Sequence, residues 1–121
     1  MTYKKFIEIL LKSKYLSNYD FRTFEERYRI EHNGKIIVIG KDKEGDLVIN
    51  LTNINPTNCP YTYSINAITG ITTIVVPLKK VNSQEDALKL ILWMVDILKD
   101  NEKINNGGIF KRILTFIRNI F

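Results

Sequence analysis

The chain has 121 residues, 45% apolar and 26% charged, which excludes a disordered or collagen-like polypeptide and fits one domain with its own core. A single cysteine, Cys59, excludes an internal disulfide and points to a reducing compartment, and a single histidine, His32, leaves little material for a zinc site or an acid–base relay. The net charge of +5 raises nucleic acid and anionic lipid as partners, but it is unevenly spread: residues 1–43 carry ten basic and six acidic side chains, 44–78 only Glu44 and Asp46, and 79–121 eight basic and five acidic.

The opening Met1–Ile9 is basic, but Glu8 interrupts the apolar run a signal peptide requires. The longest apolar stretch, Leu90–Val95, is far too short to span a bilayer, so a soluble cytoplasmic domain is expected. Residues 3–16 have helical periodicity, with Tyr3, Ile7, Leu10 and Leu11 on one face and Lys4, Lys5, Glu8 and Lys12 outside. From Asp20 to Glu26 the capping-box spacing of Thr23 and Glu26 predicts a short helical turn.

Arg27–His32 and Lys35–Gly40 are β-rich runs separated by Asn33-Gly34, a pair suited to a type I′ hairpin turn. A two-residue turn sets His32 opposite Lys35, Ile30 opposite Ile37 and Tyr28 opposite Ile39, so these six share one face. His32 is expected at a sheet edge. Lys41–Asp46 then forms a loop before the strand Leu47–Thr52. Asp42, Glu44 and Asp46 alternate there, but Gly45 falls too early for a calcium loop and no glutamate closes it, so a solvated turn is expected.

Asn53–Pro60 is a loop containing Cys59, with no neighbouring cation to activate the thiol. Two further strands are expected, Tyr61–Asn66 and Ile71–Val76. The connecting piece Ile65-Asn66-Ala67-Ile68-Thr69-Gly70 resembles the (D/N)-A-x-T-G hairpin of PepSY-type and cystatin-like domains; it covers six residues, and no function is carried over with it. Five Asn, six Thr and one Ser between Asn50 and Thr73 make this region neutral and polar, as an ordinary solvent-facing sheet side or as a protein-recognition surface with Tyr61 and Tyr63 as anchors.

Ser83–Asp86 opens a helix running to about Asp100, apolar nearly all round except for a stripe through Glu85, Lys89, Asp96 and Lys99 or Asp100. Such a helix needs cover on more than one side. After the Asn105–Gly108 breaker, residues 106–121 read as an amphipathic helical appendage. Its apolar face includes Ile109, Phe110, Ile113, Phe116 and Ile117; Lys111, Arg112 and Arg118 are candidate anion contacts. The appendage could close the core, which is favoured, or join a homodimer, meet another protein, lie on a membrane or bind nucleic acid; for the chain as a whole a membrane surface is the least favoured partner.

The expectation is a single α+β domain over 1–121: an N-terminal helix, a five-stranded mostly antiparallel meander over 27–77, and two C-terminal helices on one sheet face. No catalytic, cofactor or metal motif is present, so the functional expectation is a non-enzymatic protein-binding module whose partner is another protein. An inhibitor, immunity or accessory protein fits this size. The abundance of Ile, Lys and Asn suits AT-rich coding, as in a phage or mobile element of a low-GC bacterium. A nucleic-acid accessory protein using the basic terminal segments is the alternative.

Overall fold

The structure is a computed structural model that describes residues 1–100, with Asp100 described by its backbone alone. It is α+β, an antiparallel six-stranded sheet with two helices. Helix α1 spans Tyr3–Ser13 and α2 spans Gln84–Asp100; the strands are β1 Asp20–Phe24, β2 Arg27–His32, β3 Lys35–Lys41, β4 Leu47–Thr52, β5 Tyr63–Ile65 and β6 Thr72–Val76. A 3-10 turn, Leu78–Lys80, links β6 to the approach of α2. The sheet order is β1-β2-β3-β4-β6-β5, every neighbour antiparallel.

Six strands replace the expected five because Asp20–Glu26 is not a helical turn. Asp20–Phe24 pairs with β2 from Asp20 opposite Glu31 to Phe24 opposite Arg27. Glu25 takes a positive φ of 56° in the tight reversal. The local capping spacing of Thr23 and Glu26 loses to a ladder that β2 offers along its whole length. One consequence concerns His32: β1 and β3 flank β2, so His32 lies at the end of an inner strand, not at a sheet edge. Its ring lies against Tyr19, centroids 4.9 Å apart.

The Asn33-Gly34 hairpin has the expected register: His32 opposite Lys35, Ile30 opposite Ile37, Tyr28 opposite Ile39. Asn33 and Gly34 both have positive φ, 52° and 81°, as a type I′ turn demands. A Cβ on Gly34 would meet nothing within 4 Å, so its constraint is purely conformational. Gly34→Ala should therefore cost about 1 kcal/mol in equilibrium denaturation without altering the structure around it.

Alternation assigns the two sheet faces. Ile30, Ile37, Ile39, Leu47, Ile49, Leu51, Ile74 and Val76 are fully buried and join Phe6 and Leu10 of α1 and Leu90, Ile91, Met94, Ile97 and Leu98 of α2 in one core. Thr2 caps α1 by accepting a hydrogen bond from the Lys5 amide at 3.1 Å, and Ser83 does the same for α2 from Asp86. The cover that α2 needs comes from α1, the sheet and the 53–62 loop, where the Trp93 indole donates to the Thr57 carbonyl at 2.9 Å. Asp96 departs from the exposed stripe expected of it. Glu85 and Lys89 are exposed, but residues 94–98 are enclosed on every side, and Asp96 is only 3% exposed. The expected second C-terminal helix lies outside the described residues.

β5 is shorter than expected, Tyr63–Ile65 instead of Tyr61–Asn66, because Tyr61 packs against the core from the preceding loop. In the 66–70 turn the Asn66 side chain accepts hydrogen bonds from the amides of Ile68 and Thr69 at 2.9 and 3.0 Å, and Gly70 sits at φ 74°. The (D/N)-A-x-T-G resemblance thus reduces to turn chemistry: a side-chain acceptor at its first position and a left-handed residue at its last.

Candidate interaction surface

Among the described residues both helices lie on one side of the sheet, and the other side has no covering element. Pairing register lays out that open face in three rows across the strands. The middle row runs Arg22, Arg29, Val38, Asn50, Thr73, Ser64. A second runs Asp20, Glu31, Ile36, Thr52, and a third includes Gly40, Val48 and Val75. Ile36, Val38, Val48 and Val75 give the face an apolar strip that no layer among the described residues covers.

Charge divides this surface in two. On the β1–β2 side, Arg22 and Arg29 stand opposite each other, as do Asp20 and Glu31. Like charges directly opposite would repel, and the strands resolve this along their length: Arg22 pairs with Asp20 at 3.1 Å and Arg29 with Glu31 at 2.9 Å. The quartet is neutral as a whole. On the β4–β6–β5 side there is no charged residue, and polarity comes from Asn50, Thr52, Thr73 and Ser64, with the Thr73 hydroxyl donating to the Asn50 side chain at 2.9 Å. The neutral stretch seen in the sequence is therefore one half of the open sheet.

A groove of about 880 Å³ opens at the start of α1, floored by Tyr3, Ile7, Leu11, Tyr28 and Leu78. Tyr3, Glu26 and Lys41 in its wall are tied to one another. The Tyr3 hydroxyl donates to the Glu26 carbonyl at 2.6 Å, and Lys41 pairs with the Glu26 carboxylate at 3.1 Å while lying 5.7 Å from the Tyr3 ring centre. Burial, helped by nearby Tyr28 and Glu26, pushes the Tyr3 phenol up to about 12. A raised phenol favours the neutral form in the folded state, so this stabilisation is complete below pH 10 and disappears as pH rises from about 10 to about 12. Ultraviolet titration should show a tyrosinate appearing near pH 12 that is missing from Tyr3→Phe.

The acidic loop is engaged in the same way. The Asp42 carboxylate accepts from the amides of Glu44 and Asp46 at 3.0 and 2.9 Å, and Asp46 accepts from Leu78 at 3.1 Å. Among the described residues no three His, Cys, Asp or Glu side chains are grouped as a metal site. Cys59 is half-buried, and burial pushes its thiol up, away from the nucleophilic thiolate.

The two tyrosines expected as anchors have different settings. Tyr61 packs partly against the core, and burial together with Asp86 raises its phenol. Tyr63 is exposed on β5, on the helix side of the sheet, so the two do not form one patch with the open face. Ile109, Phe110, Ile113, Phe116, Ile117, Lys111, Arg112 and Arg118 lie outside the described residues. Alternation along the hairpin already puts Ile36 and Val38, with Arg29 and Glu31, on the face away from the core; that Val48 and Val75 extend them into one strip follows only from the strand order.

Among the described residues no helix is long and apolar enough to cross a membrane. The chain matches no protein-family model, no curated protein and no solved structure.

Proposed function

We propose that this chain is a non-enzymatic protein-binding module that presents the open face of its sheet to another protein. The observation that carries the reading is the apolar strip Ile36, Val38, Val48 and Val75, set between a self-neutralised charge quartet and the neutral Asn50, Thr52 and Thr73. A small apolar centre with a hydrogen-bonding rim of no net charge is the composition of a protein contact. Small size, the lack of a recognisable reaction constellation and the AT-rich residue usage support a cytoplasmic inhibitor, immunity or accessory protein of a phage or mobile element in a low-GC bacterium.

The alternative is nucleic acid held by the basic terminal segments. The open face offers little support for it, because Arg22 and Arg29 are each matched by a carboxylate and residues 47–78 contain no cation. The test is affinity capture from host extract with wild type, a Val38→Glu/Val48→Glu variant and a Lys89→Glu control. The proposal expects one protein retained by wild type and by the control and lost from the double variant. Retention by all three, or recovery of nucleic acid that salt releases, refutes it.

A further inference from the structure

We infer that β5 is a self-complementary edge, through which two copies of the chain pair antiparallel about a two-fold axis at Ser64. The two edges of the sheet differ in their protection. β1 carries Asp20 and Arg22, the charged side chains that discourage edge pairing, whereas β5 is Tyr-Ser-Ile within a stretch, 47–78, that has no charge at all. All three β5 residues are exposed, Tyr63 at 47% and Ile65 at 57%, and Ile68 at the adjoining turn is 96% exposed.

Backbone geometry fixes which groups the edge offers. The Asn66 amide donates to the Ile71 carbonyl at 3.0 Å. In an antiparallel ladder hydrogen-bonded and non-bonded pairs alternate, so Ser64 bonds with Thr73, while the N–H and C=O groups of Tyr63 and Ile65 point away from β6. Among the described residues those groups have no backbone partner.

A second copy turned about Ser64 presents the complementary set. Tyr63 of each copy would exchange both backbone hydrogen bonds with Ile65 of the other, and Ser64 would face its own equivalent across a non-bonded pair. The same register lays each exposed Tyr63 ring beside an exposed Ile65, an aromatic–β-branched pair of the favourable kind. No like charges meet. The pairing would join two sheets into one and make their open faces continuous, but it does not depend on the open face binding a partner.

Sedimentation equilibrium on the full chain, from about 10 μM to about 1 mM, reads the association directly. Wild type should form a dimer over that range. Ser64→Lys and Ser64→Glu place like charges opposite each other at the axis, on an exposed side chain the fold does not need, and each should weaken dimerisation about tenfold or more. An equimolar mixture of the two should restore it. Ile65→Pro, which removes an outward-facing amide and spares the ladder to β6, should give a folded monomer. A wild type that stays monomeric at the highest concentration, a dimer indifferent to Ser64→Lys, or charge variants that do not recover on mixing would each overturn the inference.

Discussion

Ile49→Ala should lower stability by about 3–4 kcal/mol, while Val48→Ala, the neighbouring position, should cost less than about 1 kcal/mol. Ile49 is fully buried and stands between Ile39 and Ile74, themselves fully buried, at the centre of the helix-side face. Truncation there leaves a cavity that three rigid strands cannot collapse. Val48 points to the open face, where water replaces the lost methyl groups. Urea denaturation of both variants measures the difference, and equal costs would mean that the open face is covered in the folded molecule.

The second large effect should come from Lys35. Its side chain is only 7% exposed, and its ammonium donates to the Leu98 carbonyl at 2.6 Å. Leu98 lies towards the C-terminal end of α2 as described, where the helix dipole favours a cation. Lys35→Met keeps the apolar stem but removes this buried, charge-assisted hydrogen bond, at a cost of about 2–3 kcal/mol. Lys41→Met, which breaks the half-exposed pair with Glu26, should cost less than about 1 kcal/mol. Thermal and urea unfolding of the two variants checks the contrast; a loss below about 1 kcal/mol for Lys35→Met would show that the ammonium is dispensable for holding the end of α2.

The central hairpin was legible because its information is local. Asn33-Gly34 sets the turn, the turn sets the register, and period-2 alternation then assigns Ile30, Ile37 and Ile39 to the core. α2 was equally plain, since its cap and its apolar positions agree. β1 was obscured by non-local competition: Thr23 and Glu26 carry a helix-start spacing, and only the presence of β2 alongside turns Asp20–Phe24 into a strand. Losing β1 also hid the charge quartet, because Arg22 and Asp20 meet Arg29 and Glu31 only once that strand is in place. Asp96 was misplaced for a related reason: helical periodicity gives the stripe it lies on, but not which part of the stripe is enclosed by the rest of the chain. Lys35 shows the converse. Alternation places it on the core face beside Ile37, and only the proximity of Leu98 explains why a lysine belongs there.

The claim that the open sheet face is the contact surface is tested most directly by a photoreactive side chain at Val48, with the same group at Lys89 on the exposed stripe of α2 as the comparison. Irradiated in host cells, the group at Val48 should yield one discrete cross-linked protein and the group at Lys89 none. Cross-linking confined to Lys89, or to nucleic acid at either position, would contradict the account.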